Sequence, residues 1–277
     1  RVYYLGGQSN MDGYGYINDL PDSLNKLIEH AWIFHGNPMR DNSLPGGDGS
    51  WEQLGPGHGV GFSFSEGQNQ LSNRFGVEVS FGYQMCRFFP GEKVAIIKYS
   101  LGGTSLDTLI ESGGYWNPDY RGSNGLSQYD HFLATLSNAF TNCDIDGDGR
   151  NDILVPSGIV WMQGEADALY DRRAAKLYYG NLKRLMDLMR AALRNNDIPV
   201  AIGMISDSGM DADGKVWEHM RIVHKAQEKF AARDKNAGIV RTTLDYEYSD
   251  PYHYDSEGYI DLGKSFAKTI YYLDTNP

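Results

Sequence analysis

Short apolar runs alternate with longer amphipathic ones along all 277 residues. The runs at 2–5, 93–99, 158–162, 199–205 and 238–242 read as strands, and Val94-Ala95-Ile96-Ile97, Ile159-Val160 and Ile239-Val240 supply β-branched clusters. Between them the spacing predicts helices over 77–89, 171–195, 217–234 and 256–273. The clearest is 171–195, where Leu177, Leu182, Leu185, Leu188, Met189 and Ala192 recur at helical spacing. Phe75-Gly76 precedes the first helix and Pro90-Gly91 stops it, while Asp255 is a natural N-cap for the last. Strands that lack internal polar alternation, separated by helices, predict the α/β class. The expectation is one domain over 1–277, a three-layer α/β/α sandwich around a central parallel sheet. Sites in such folds lie beyond the C-terminal ends of the strands. Ser9, Gly102-Gly103 and Gln163-Gly164-Glu165 all fall there. The intervals 12–70 and 112–152 are too long for plain connections and read as loops walling a substrate cleft.

Charge narrows the partners. With 25 Lys+Arg against 36 Asp+Glu the net charge is −11. No basic cluster offers phosphates a footprint, which argues against nucleic acid and against anionic membranes. No run of about 18 apolar residues spans a membrane. The 19 Tyr, 11 Phe and 5 Trp serve a core and also suit the flat faces of sugar rings. Cys86 and Cys143 are too few for a disulfide scaffold and read as unpaired thiols.

The chemistry gathers at four places. Ser9 follows the apolar run Val2-Tyr3-Tyr4-Leu5 and the pair Gly6-Gly7, so it can sit on a tight turn facing a cleft. A serine is a weak nucleophile that needs a base. Of the seven histidines, His253 alone has a carboxylate three residues before it, Asp250. Pro251 biases Asp250 toward extended geometry, from which its carboxylate can fold back onto the imidazole Nδ1–H and leave Nε2 free for a serine. Gly102-Gly103-Thr104-Ser105 offers backbone N–H groups to a developing oxyanion. Each piece alone has a plainer use, as a helix cap, a loop clasp or a turn.

Together Gly7-Gln8-Ser9-Asn10-Met11, Gly102-Gly103-Thr104-Ser105, Trp161-Met162-Gln163-Gly164-Glu165-Ala166-Asp167 and Asp250-Pro251-Tyr252-His253 resemble the SGNH hydrolases. More narrowly, they resemble the branch of sialate O-acetylesterases and the acetylxylan esterases of carbohydrate esterase family 6. The resemblance implies an SGNH, flavodoxin-like fold. It implies Ser9 as nucleophile, His253 as base then acid, and Asp250 as its orienting partner. It further implies an oxyanion hole from the N–H groups of Ser9 and Gly103 with the Gln163 side-chain amide, and supporting roles for Gln8, Asn10 and Glu165. The reaction so implied is O-deacetylation of a carbohydrate, either an acetylated plant polysaccharide or sialic acid, with no catalytic cofactor. Other SGNH activities, arylesterase or lipase-like, and a non-catalytic carbohydrate-binding module are the competing readings. An enzyme of this kind is expected to be extracellular or periplasmic, with a signal peptide removed.

A separate signal is Asp144-Ile145-Asp146-Gly147-Asp148-Gly149-Arg150-Asn151-Asp152. Carboxylates at loop positions 1, 3, 5 and 9, glycine at 6 and a carbonyl from Arg150 at 7 follow the spacing of an EF-hand calcium loop. Val155 stands where the bidentate glutamate belongs. The segment 144–155 is therefore a candidate structural calcium loop with Asp144, Asp146, Asp148, Arg150 and Asp152 as ligands.

Overall fold

The structure, a computed structural model, describes residues 1–39, 46–110, 113–121, 127–169 and 171–276. In chain order the strands are β1 (Val2–Gly7), β2 (Gly15–Tyr16), β3 (Ala31–His35), β4 (Trp51–Gln53), β5 (Ser63–Ser65), β6 (Gln68–Gln70), β7 (Arg74–Phe75), β8 (Val94–Ser100), β9 (Pro156–Met162), β10 (Val200–Gly203) and β11 (Ala237–Val240). The helices are α1 (Ser9–Asp12), α2 (Glu78–Phe88), α3 (Gln128–Thr141), α4 (Glu165–Leu169), α5 (Arg172–Ala192), α6 (Met220–Arg233) and α7 (Ser256–Thr275).

Seven strands form the central sheet in the order β11-β10-β9-β1-β8-β3-β4, parallel except for the antiparallel edge pair β3–β4. β1 and β8 are buried at every position, the signature of a sheet covered on both faces. Tyr3 meets Phe81 of α2 at 5.3 Å, and its neighbour Tyr4, pointing the other way, meets Phe132 of α3 at 4.8 Å. α2 packs on α7, and α5 on α6. One apolar cluster runs from Val2 to Ile270. Among the described residues no helix is long and apolar enough to cross a membrane. Cys86 and Cys143 are free thiols.

The five expected strands and four expected helices are present with ends shifted by a few residues. Asp255 caps α7 by accepting from the Gly258 N–H at 2.8 Å, and Asp171 caps α5 through the Arg173 N–H at 2.7 Å. The two long intervals are more ordered than expected. The first contains β3 and β4, which extend the main sheet, and the hairpin β5–β6. The second contains α3, capped by the Ser127 hydroxyl; residues 112 and 122–126 of that interval lie outside the described residues.

β1 lies at the middle of the sheet; the chain crosses from it to β3 and β4 on one side, returns to lay β8 beside β1, and then runs outward through β9, β10 and β11 on the other. Crossovers leave in opposite directions there, so the loops after β1, β8 and β9 open around one crevice. Gly7 at the end of β1 pairs with Ser100 of β8 and with Met162 of β9, so these three strands end level.

Candidate active site

Ser9 is placed by the backbone around it. Gly7 has φ +150°, and a Cβ there would lie 1.9 Å from the Met162 carbonyl oxygen. Only glycine lets β1 approach β9 this closely while the chain turns into α1. The Gln8 N–H then donates to the same carbonyl at 2.9 Å, and Ser9 opens α1 at the rim of the sheet, 7% exposed. As the first helical residue it has an N–H without an intrahelical acceptor. The Gln8 side chain points toward the third motif, accepting from the N–H groups of Gly164 (3.4 Å) and Ala166 (3.3 Å).

Asp250 and His253 form a built pair. His253 Nδ1–H donates to Asp250 Oδ2 at 2.7 Å, and Asp250 Oδ1 accepts from the N–H groups of Tyr252 (2.8 Å) and His253 (2.9 Å). Burial opposes charge on Asp250, but the His253 bond and the two N–H groups outweigh it and hold the carboxyl below its usual range. An ionised acceptor on Nδ1 fixes the tautomer with the lone pair on Nε2.

No hydrogen bond joins Ser9 Oγ to His253 among the described residues. Two other contacts bring them to one place. Asn10 Nδ2 donates to the Tyr252 carbonyl at 3.2 Å, tying α1 to the loop that carries His253. Tyr14 stacks flat on the His253 ring, with centroids 3.5 Å apart and planes 7° apart. A Cβ on Gly102 would meet Ser9 Cβ at 3.3 Å and the Tyr14 hydroxyl at 3.7 Å, so the glycine turn, the serine and Tyr14 are neighbours. Serine–histidine bonds are often loose before substrate binds.

The Gly102-Gly103 turn borders this crevice. Gly103 has φ +69° with nothing within 4 Å of its missing Cβ, so its glycine serves backbone shape and leaves open space. Its N–H donates to no acceptor among the described residues, while its carbonyl accepts from Gly113 at 3.0 Å.

Gln163 is a correction. Its side chain is 0% exposed, and its amide donates to the Thr104 carbonyl (3.1 Å) and Asp167 Oδ2 (2.6 Å). Two protons on two acceptors leave none for an oxyanion. Gln163 instead clamps the second motif to the third. Asp167 completes the clamp by accepting from the N–H groups of Leu106 (2.9 Å) and Asp107 (3.2 Å). Burial pushes its carboxyl up to about 7 against those donors. Glu165 lies beside the site, accepting from Asn10 Nδ2 at 2.9 Å, and burial raises its pKa against that bond. Asn10 Oδ1 accepts from the Tyr259 hydroxyl at 2.8 Å.

Sequence reasoning missed the support beneath α1. Lys98 and Glu78, both 0% exposed, pair at 2.8 Å. Lys98 Nζ also donates to the carbonyls of Asp12 (2.8 Å) and His58 (2.7 Å), so its three donors are matched. Neither Asp12 nor Tyr14 was singled out, although both directly follow the first motif.

Of the calcium-loop residues, the carboxylates of Asp144, Asp146 and Asp152 converge within 4.8 Å. Asp148 stays outside that group, its Oδ1 accepting the Arg150 N–H at 2.8 Å, and the Arg150 side chain is exposed. Lys93 Nζ sits on Asp146 (2.5 Å) and Asp152 (2.8 Å).

A serine at a sheet's switch point beside an Asp–His pair suits ester chemistry, and comparison with known proteins decides the family. Residues 1–272 match the family described as SASA, carbohydrate esterase, sialic acid-specific acetylesterase. The chain belongs to that family. As a SASA member it is a carboxylic ester hydrolase that deacetylates carbohydrate. Among solved structures it is similar to a protein from Arabidopsis thaliana (18% identity, 97% of this chain and 96% of that one, TM-score 0.68). It is also similar to XAC1771, a carbohydrate acetylesterase from Xanthomonas citri (15% identity, 100% and 56%, TM-score 0.63), and to NanS (15% identity, 97% and 95%, TM-score 0.60). At these identities the likeness speaks for the fold. Among curated proteins none matches the chain.

Proposed function

We propose that this carbohydrate esterase works through Ser9 as nucleophile, with His253 as general base and Asp250 as its partner. The observation that carries the reading is the Asp250–His253 pair, stacked under Tyr14 beside the helix that Ser9 opens. His253 Nε2 takes the Ser9 hydroxyl proton as Oγ attacks the acetyl carbonyl carbon. The carbonyl oxygen becomes an oxyanion held by the N–H groups of Ser9 and Gly103. As the C–O bond to the sugar breaks, the sugar oxygen leaves with the proton from His253. Water, deprotonated by His253, then attacks the acetyl-Ser9 ester. Acetate departs and Ser9 recovers its proton. His253 relays each proton in this sequence: the Ser9 proton leaves on the sugar oxygen, and a proton from water restores Ser9. Gln8, Asn10 and Glu165 hold the loops rather than the reacting atoms.

An acetylated plant polysaccharide or an acetylated sialic acid is the proposed substrate, met outside the cytoplasm or in a periplasm. Acetate release from a panel of both classes tests this. Wild type is expected to release acetate from at least one member, and Ser9→Ala from none while melting as wild type does. Turnover by Ser9→Ala equal to wild type contradicts the reading.

The loop 144–155 is proposed to hold a structural calcium ion. Three converging carboxylates are a hard-oxygen donor set that fits calcium, and Lys93 would have to swing away to admit it.

A further inference from the structure

Asp12 closes the single helical turn that Ser9 opens, and its carboxylate reaches across to the other half of the crevice. Oδ1 accepts from the Ser100 hydroxyl, at the end of β8, at 2.5 Å. The Gly102 N–H also faces the carboxylate. A Cβ on Gly102 would lie 3.6 Å from Asp12 Oδ2, next to Ser9 Cβ at 3.3 Å. The Asp12 backbone is itself fixed from below, its carbonyl accepting from buried Lys98 at 2.8 Å. One side chain thus links the helix carrying Ser9 to the turn carrying Gly103, while taking no part in the Asp250–His253 pair.

We propose that Asp12 is a positioning residue that holds the Gly102-Gly103 turn in register with Ser9, so that the Gly103 N–H meets the oxyanion as it forms. This rests on the reading of Ser9 as nucleophile. The anionic carboxylate accepts from Ser100 and attracts the Gly102 N–H that faces it, whereas a protonated acid gives up part of that attraction. Burial pushes the Asp12 carboxyl up to about 6. Ser100, Lys98 of β8 and the Gly102 N–H work against that rise, and Glu78 of α2 adds to it. Tyr14 is the remaining titratable neighbour. At neutral pH the carboxylate is charged and the link is made.

Asp12→Asn keeps the shape and the acceptor for Ser100 but replaces an anionic oxygen with an N–H₂ group. With p-nitrophenyl acetate at about pH 8, kcat is expected to fall about tenfold, short of the roughly 10²–10³ lost when an oxyanion donor is removed outright. KM should stay within about twofold, because the contact acts on the transition state rather than on bound substrate. Affinity for phenylboronic acid, which forms a tetrahedral adduct on a serine, should fall by the same factor as kcat. Ser100→Ala, which frees one side of the carboxylate, should show a smaller loss in the same direction, with an unchanged melting temperature. Wild-type kcat and boronate affinity in both variants overturn the proposal, as does a loss expressed only in KM. An inert Ser9→Ala beside a fully active Asp12→Asn rejects this inference alone. An active Ser9→Ala rejects the reading beneath it.

Discussion

At the residue scale, the contact with the sharpest functional consequence is the Tyr14 ring on His253. In the proposed role of presenting Nε2 to Ser9, His253 needs more than the Asp250 bond, which fixes one edge but leaves the ring free to tilt. The flat stack at 3.5 Å removes that freedom. Such a ring pair contributes about 0.5–1.5 kcal/mol, so Tyr14→Ala should lower kcat toward p-nitrophenyl acetate by up to about tenfold. Tyr14→Phe, which keeps the face, should stay close to wild type. Full activity in Tyr14→Ala would show that His253 is held without it. Ser9, Asp250 and His253 were legible as candidates because the chemistry dictates residue types and a local i, i+3 spacing. Tyr14 on His253 was not, because the two are joined only by the fold, from opposite ends of the chain. Gln163 misled for a related reason: the sequence displays a side-chain amide but not that Thr104 and Asp167 already accept from it.

At the element scale, apolar runs announced the inner strands because both their faces are buried. β3 and β4 escaped notice: β4 is a three-residue edge strand, half-buried throughout, with little apolar pattern to display. α3 was hidden by its place inside a long polar, glycine-rich interval. The Asp/Gly loop after α3 shows what spacing can and cannot deliver. It brings Asp144, Asp146 and Asp152 together, and leaves Asp148 capping its own turn. If calcium binds there, millimolar calcium should raise the melting temperature, and Asp144→Ala with Asp152→Ala should abolish the rise. A melting temperature indifferent to calcium in wild type would leave Asp146 and Asp152 as partners of Lys93 and Asp144 as an acceptor for the Gly149 N–H.

At the scale of the whole molecule, the acidic chain buries groups that dislike the charge they would carry. His35, stacked on Phe62 at 3.9 Å, and His58 are both buried with Nδ1 unpartnered among the described residues. Burial, with Lys98 nearby, drives the His58 pKa down to about 3 and that of His35 well below its usual value. Folding therefore favours their neutral forms. Their stabilising contribution is complete above the unfolded histidine pKa of about 6.5 and is lost as pH falls toward the folded values, at about 1.4 kcal/mol per pH unit for each ring. Asp12, Asp167 and Glu165 are raised by burial and oppose this, since acidification relieves them. The histidine part is isolated by comparing wild type with His58→Gln. The advantage of wild type in melting temperature should shrink between pH 7 and pH 5, and an advantage constant with pH would contradict the assignment. All of this surrounds one claim, that the acetyl group passes through Ser9. Its most direct test is to quench wild type during turnover of an acetylated sugar and map acetyl by peptide mass spectrometry. The account predicts acetyl on the peptide carrying Ser9, more of it in His253→Ala fed an activated acetyl ester, and none in Ser9→Ala. Acetate released at full rate by an enzyme that never carries acetyl on Ser9 would contradict it.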